Sequence, residues 1–99
     1  MAELNQVLAS LRMNAAELRR RGVLHAGVFG SVARGSGNDK SDVDILLTFT
    51  DDEQFGLLEY VRLERYLTGI VGAPVDLADR QRLKPLLRNV IEREVVDAF

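Results

Sequence analysis

The sequence has 99 residues, a length that predicts one domain spanning residues 1–99 and argues against a two-domain enzyme. Thirteen Lys and Arg against fifteen Asp and Glu leave a formal net charge of -2. The excess of positive charge expected of a protein that grips a long nucleic acid is missing, so nucleic acid is disfavoured as the main partner. A hydrophobic fraction of 46% is ordinary for a folded globule and argues against intrinsic disorder.

The cellular compartment is also constrained by composition. The absence of cysteine excludes disulfides, a thiolate nucleophile and a thiolate zinc site, and it favours a reducing cytoplasm. Residues 1–6 lack the basic region and apolar run of a secretory signal, and no stretch approaches eighteen apolar residues. We therefore expect a cytoplasmic protein that is neither exported nor membrane-spanning.

The first half of the chain predicts a helix and two strands. A helix that ends in cations followed by Gly22 is indicated by apolar residues at helical spacing, namely Leu4, Val7, Leu8, Leu11, Ala15 and Leu18. Val23–Phe29 is short and apolar, which is typical of a buried strand. Residues 35–41 have the composition of a loop. Residues 42–49 are nearly all apolar after their acids and predict a strand covered on both faces.

The second half predicts a helix, a third strand and a final helix. Residues 50–53 have the spacing of a capping box, so a helix is expected to begin there. Its apolar stripe is Leu57, Tyr60, Leu63, Leu67, Ile70 and Val71, with Gly69 and Gly72 marking its end. Residues 73–78 predict a strand, and Pro85 suits the first turn of a helix with apolar positions as far as Phe99. The order predicts an α/β (α+β) fold, with helices packed on a small mixed sheet of about three strands.

Two acidic residues at the start of the second strand carry the strongest chemical signal. Asp42 and Asp44 alternate along a strand and share a face, roughly 6 to 7 Å apart. Burying such a pair among apolar neighbours is costly unless a divalent cation neutralises it, because desolvation and like charge both raise the pKa values. Oxygen ligands suit Mg²⁺ or Mn²⁺.

Further candidate residues lie at the ends of the other strands. Gly30 and Ser31 sit where the first strand turns into a short helix, so backbone N–H groups and a hydroxyl can converge on a phosphate. Asp76 lies in the third strand and would complete a three-carboxylate metal cluster if that strand neighbours the second. Arg34 is a candidate contact to phosphate or to an acidic partner, with a solvated loop charge as the alternative. The alternating charges of residues 88–94 are interpreted as a solvated helix face.

Taken together, these motifs resemble the signature of minimal nucleotidyltransferases in the DNA polymerase beta superfamily. The resemblance lies in Gly-Val-Phe-Gly-Ser-Val-Ala-Arg-Gly from Gly27, Ser-Asp-Val-Asp-Ile-Leu-Leu from Ser41, and Pro-Val-Asp-Leu from Pro74. It implies the polymerase-beta-like nucleotidyltransferase fold, magnesium, and transfer of a nucleotidyl group from a nucleoside triphosphate with release of pyrophosphate.

The same resemblance implies a role for each site residue. Gly30 and Ser31 would hold the triphosphate, and Asp42 and Asp44 would ligate both metal ions. Asp76 would complete the site beside the attacking hydroxyl, either as a general base or as a metal ligand.

Within the superfamily, this short chain resembles the antitoxin of two-gene systems whose partner is a HEPN ribonuclease toxin. Larger members add a domain that holds the acceptor, and this chain ends at Phe99, so we expect a partner to supply it. The resemblance implies transfer of AMP from ATP to a toxin tyrosine, in a hetero-oligomer with the toxin. Two alternatives are a small-molecule nucleotidyltransferase of the aminoglycoside type that needs a partner subunit, and a non-catalytic module that neutralises a toxin by contact.

Overall fold

The computed structural model describes residues 3–36, 42–50 and 56–99, and helices pack around a central mixed sheet. In chain order the elements are α1 (Leu4–Met13), α2 (Ala15–Arg20), β1 (Val23–Phe29), α3 (Gly30–Arg34), β2 (Val43–Phe49), α4 (Leu57–Val71), β3 (Val75–Asp79), a 3-10 turn (Arg80–Arg82), α5 (Pro85–Glu94) and β4 (Val96–Asp97). Within these described ranges, no helix combines the length and the apolar character needed to cross a membrane.

The sheet has the strand order β3-β2-β1-β4. β1 pairs antiparallel with both β2 and β4, whereas β2 and β3 run parallel. Parallel neighbours need a crossover connection, and α4 lies in the connection between them. The predicted mixed α+β architecture is therefore confirmed, and the sheet has one strand more than the expected three.

The additional strand corrects the prediction for the C-terminus. The final helix was expected to reach Phe99, but α5 ends at Glu94 and Val96–Asp97 pairs with β1. The N–H of Ala98 also donates to the Ala26 carbonyl, at 2.8 Å. A two-residue strand is too short to produce a recognisable alternation of polar and apolar residues, so helical spacing at Val95 and Phe99 was misleading.

The N-terminal helix differs from its prediction as well, because it is divided at Asn14. The Asn14 amide donates to the Ser10 carbonyl at 2.8 Å, and the Tyr66 hydroxyl donates to Asn14 Oδ1 at 2.9 Å. An asparagine side chain competes with the helical hydrogen bonds of its own backbone. The apolar positions of α1 and α2 nevertheless face the core as expected, since Leu11 and Leu18 are fully buried.

The limits of α4 also differ from the sequence prediction. α4 begins at Leu57, where the Glu59 carboxylate accepts from the Gly56 N–H at 3.2 Å, and the Leu57 side chain is 80% exposed. The predicted start at residues 50–53 falls largely outside the described residues. The helix continues through Gly69 and ends at Val71, and the following Gly72 has a φ of 77°, in the left-handed region.

The main core fills the space between the sheet and the helices α1, α2 and α4. In β2 the residues Val43, Ile45 and Leu47 belong to this core. Leu46 points to the opposite face by strand alternation and is also buried, so β2 is covered on both sides as predicted. Asp44 alternates with Val43 and Ile45 and lies on the same face as Leu46, opposite the main core.

Candidate functional site

The candidate site is built on the pairing of β2 with β3. Asp44 and Asp76 are direct partners in the parallel register of these two strands. Paired residues on neighbouring strands share a face of the sheet, and the strands are about 4.8 Å apart. β3 does neighbour β2, as the sequence analysis required, and Asp44 and Asp76 therefore lie side by side.

The electrostatics of this pair are dominated by like charge and partial burial. Burial, followed by the negative charges of Asp76 and Asp42, raises the pKa of Asp44 above its ordinary value. The Arg34 guanidinium acts in the opposite direction and lowers it. Asp42 is exposed and directly precedes β2. The structure therefore places two further acids and one cation close enough for their charges to act on Asp44.

Gly30 brings the backbone directly against one of these carboxylates. It follows Phe29, which pairs with Asp44 across β1 and β2, and its φ of 74° lies in the left-handed region. A Cβ atom built on Gly30 would overlap the Asp44 carboxylate, with its Cγ at 3.0 Å. Only glycine satisfies both the conformation and the close approach, so the turn between β1 and α3 lies beside the acidic pair.

Ser31 is the second residue of α3 and is half-buried. Its carbonyl accepts from the Ser36 N–H at 2.9 Å, which folds the following turn back onto α3. Within the described part of the chain, no side chain caps the start of α3. The first N–H groups of a helix have no acceptor within that helix, so those of α3 are available to an external anion.

Asp44 and Asp76 provide the type of donor that a hard divalent cation takes. Among residues 3–36, 42–50 and 56–99, no three Asp, Glu or His side chains form a group that could hold a metal ion by themselves. Mg²⁺ is commonly bound by one or two carboxylates, with substrate phosphates and water completing its shell. The pair fits a cation that arrives with a nucleotide, while the closed three-carboxylate cluster stays a prediction.

Arg34 lies at the end of α3 and is joined to α5. Its Nη1 donates to both carboxylate oxygens of Glu94, each at 3.1 Å. Arg34 therefore has an acidic partner within the chain, and its side chain remains 53% exposed to solvent. Glu94 was missed from the sequence because it lies 60 residues away, within a segment of alternating charges.

Tyr60 is a second residue whose contact to the site region the sequence did not predict. Its hydroxyl donates to the Leu77 carbonyl at 3.0 Å, next to Asp76 on the edge strand β3. Burial, and then the negative charge of Asp76, raise the pKa of Tyr60, so the hydroxyl remains a donor. Helical spacing identified Tyr60 as a packing residue, but the spacing carried no information on this hydrogen bond.

Comparison with known proteins determines the family. A model of the nucleotidyltransferase domain matches residues 11–98. The chain belongs to the nucleotidyltransferase domain family. The resemblance seen in the Gly30-Ser31 and Asp42-to-Asp44 motifs is thereby confirmed.

Two relatives cover almost the same length as this nucleotidyltransferase chain. The protein adenylyltransferase MntA of Thermococcus cleftensis is 41% identical over 97 residues, which are 97% of this chain and 96% of that protein. A Methanocaldococcus jannaschii protein described as a protein adenylyltransferase is 37% identical over 95 residues, covering 88% of this chain and 100% of that protein.

Solved structures show the same fold. A structure described as a minimal nucleotidyltransferase superimposes with a TM-score of 0.79 at 34% identity, covering 95% of this chain and 94% of that one. A toxin–antitoxin complex with AMP-PNP gives a TM-score of 0.70 at 20% identity, with coverages of 89% and 72%. An MNT antitoxin of Shewanella oneidensis, in complex with a tri-AMPylated HEPN toxin, gives 0.64 at 17% identity, with coverages of 93% and 71%. The predicted polymerase-beta-like nucleotidyltransferase fold is thus confirmed.

Proposed function

We propose that this nucleotidyltransferase transfers AMP from ATP to a hydroxyl group, a tyrosine in the family it resembles, of a partner HEPN ribonuclease toxin. In this way it acts as the toxin's antitoxin in the cytoplasm. The observation that carries the proposal is the in-register pair of Asp44 and Asp76 beside Gly30. A protein acceptor is supported by the relative named protein adenylyltransferase MntA. A HEPN partner is supported by the fold shared with the Shewanella oneidensis antitoxin.

The turn between β1 and α3 is the proposed nucleotide-binding segment. Gly30 has no side chain, so a phosphate can approach its backbone where a Cβ would otherwise lie. Ser31 adds a hydroxyl donor and stands in the first turn of α3. The fold shared with a complex that holds AMP-PNP supports ATP as the nucleotide.

Asp42, Asp44 and Asp76 are the proposed ligands for Mg²⁺, with Mn²⁺ as a possible substitute. Carboxylate oxygens are the donors that these hard cations prefer. Burial, and then the like charges of Asp76 and Asp42, raise the pKa of Asp44, and a bound cation would relieve the repulsion between these carboxylates. When bound, Mg²⁺ neutralises negative charge on phosphate oxygens and carboxylates alike.

The proposed reaction is an in-line displacement at the α-phosphorus of ATP. The acceptor hydroxyl oxygen forms a bond to this phosphorus, the bond to the bridging oxygen breaks, and pyrophosphate leaves with the electron pair. Asp76 is exposed on the edge strand β3, where an acceptor can approach it. Its carboxylate is suited to accept the hydroxyl proton or to hold the cation.

The surface of α5 supports a protein as the partner. Its side chains Leu86, Leu87 and Val90 are exposed by 84%, 53% and 53%. Clustered exposed apolar side chains are typical of surfaces that contact another protein.

The proposal is tested by the intact mass of the partner that is encoded beside this chain and purified with it. Incubation with ATP and Mg²⁺ is expected to add AMP units to the partner, and the Asp42→Asn/Asp44→Asn variant is expected to add none. A phosphate-sized increase would exclude attack at the α-phosphorus. An unmodified partner together with nucleotidylation of an aminoglycoside would instead support the small-molecule alternative.

A further inference from the structure

Arg34 and Glu94 connect the segment beside the acidic pair to the C-terminal helix. Nη1 of Arg34 donates to both oxygens of Glu94 at 3.1 Å, and the two side chains are 53% and 29% exposed. Ion pairs with this much solvent contact contribute little to folding stability, because water screens the attraction. The main consequence of this pair is therefore the position that it gives to the Arg34 guanidinium.

Arg34 shares a helix face with the proposed phosphate-binding residues. It follows Gly30 by four positions and Ser31 by three, and residues at these spacings are neighbours on a helix surface. Its positive charge also acts on Asp44, against the negative charges of the neighbouring acids. A triphosphate bound next to Gly30 and Asp44 would come within range of the Arg34 guanidinium.

Glu94 is held at a fixed place on the other side of this contact. It ends α5, between the buried residue Ile91 and the strand β4, which pairs with β1. The side chain of Val95 lies against Gly27, where a Cβ would be only 2.6 Å from Val95 Cγ2. These contacts of the neighbouring residues restrain the backbone at Glu94, so its carboxylate is offered to Arg34 from a fixed position in the chain.

We propose that Glu94 is a positioning residue: it holds the Arg34 guanidinium beside Gly30 and Ser31, where the remaining N–H groups bind a phosphate of the nucleotide. Arginine has five N–H donors in a planar fork, and Nη1 supplies only two of them, so the donors on Nε and Nη2 remain for an anion. An arginine held in place before binding loses less conformational entropy when the ligand arrives. This inference rests on the proposed nucleotide-binding function.

Removing the Glu94 carboxylate is expected to change ATP affinity in the direction opposite to that expected from its charge alone. Removing a carboxylate near an anion site should tighten ATP binding if only charge matters. If Glu94 positions Arg34, Glu94→Ala should instead weaken binding of ATP with Mg²⁺ by about fivefold. Glu94→Gln keeps one acceptor oxygen and is expected to restore part of the affinity.

Glu92→Ala is the matched control. Glu92 lies on the same helix and faces an arginine too, with Arg80 Nε at 3.9 Å, but Arg80 belongs to the 3-10 turn after β3. Titration of each variant with ATP in the presence of Mg²⁺, followed by the shift of Tm, gives the dissociation constants. The Glu92→Ala variant is expected to bind ATP as the unchanged protein does.

A double-mutant cycle shows whether Glu94 acts through Arg34. In an Arg34→Ala background, Glu94→Ala is expected to cause no further loss of ATP affinity. Three results would overturn the positioning role while leaving the proposed function intact. The losses of ATP affinity could be additive, Glu94→Ala could bind ATP more tightly, or Glu94→Ala and Glu92→Ala could bind ATP equally well. If the unchanged protein shows no response to ATP with Mg²⁺, the proposed nucleotide function fails, and this inference fails with it.

Discussion

Asp44 and Asp76 lie opposite each other on the parallel strands β2 and β3 and repel one another. Partial burial and this repulsion raise the pKa of Asp44, and Asp42 adds to the effect. In the absence of a cation, the fold therefore holds like charges close together, at a cost in the free energy of folding. Such a cost is typical of ligand-binding sites, where stability is lower than the same fold could reach.

Replacing Asp44 by Asn should leave the stability of the ligand-free protein unchanged or raise it. Because the pKa of Asp44 is raised in the folded state, the folded protein binds this proton more tightly than the unfolded chain does. The free energy of unfolding contributed by Asp44 therefore falls as the pH rises from its ordinary pKa of 3.8 through the raised value. Thermal unfolding across this pH range should show an advantage of Asp44→Asn that grows with pH.

Asp97→Asn is the control for that measurement, because Asp97 is an exposed acid on β4, at the opposite edge of the sheet from β3. It measures the effect of removing one exposed carboxylate that does not pair with Asp44. An Asp44→Asn protein that is grossly unfolded would mean that the carboxylate has a structural role instead.

Mg²⁺ together with ATP should raise the melting temperature, and ATP with a chelator should not. A ligand that binds only the folded state adds about 2.7 kcal/mol at a concentration one hundred times its dissociation constant. The motivation is the in-register pair of Asp44 and Asp76, whose carboxylates would hold a cation while the phosphates of ATP complete its shell. Differential scanning fluorimetry with Asp44→Asn as comparison measures the effect, and an equal shift with the chelator present would contradict a metal-dependent site.

Gly30→Ala should abolish the response to ATP, whereas Gly35→Ala should preserve it. Both glycines have positive φ, 74° and 75°, so either substitution costs about 1–2 kcal/mol of backbone strain. Only a Cβ at Gly30 meets the Asp44 carboxylate; a Cβ at Gly35 would find no described atom within 4 Å. Comparison of the two variants thus separates backbone strain from loss of the site. An equal loss of ATP response in both variants would refute the role assigned to Gly30.

The Asp42→Asn/Asp44→Asn variant should still co-purify with the partner toxin but fail to neutralise it when present at less than one copy per toxin. The substitutions preserve side-chain volume and leave the exposed apolar face of α5 unchanged, so the contact surface remains. One catalytic antitoxin molecule can modify many toxin molecules, whereas neutralisation by contact needs one antitoxin molecule for each toxin molecule. Toxicity measured against antitoxin dose decides between the two modes, since full protection by the variant at low dose would support neutralisation by contact alone.

Much of the site could be predicted from short-range pattern. The strand-to-turn sequence ending in Gly30-Ser31 and the alternation of Asp42 and Asp44 among apolar residues are local signals, because side-chain direction in a strand depends only on parity. The positions of β1, β2 and β3 followed from short apolar runs bounded by turn or acidic residues. The break at Asn14 did not, since it depends on hydrogen bonds to Ser10 and Tyr66 that helical spacing does not reveal.

The sequence by itself thus determined the family, and it predicted which residues carry the chemistry. Only the tertiary structure decided that Asp76 stands beside Asp44, that β4 completes the sheet, and that Glu94 holds Arg34. Periodicity reports how a segment faces its surroundings over a few residues. The packing of the crossover helix and the core decides which distant segment lies next to it, and the sequence alone does not show that packing.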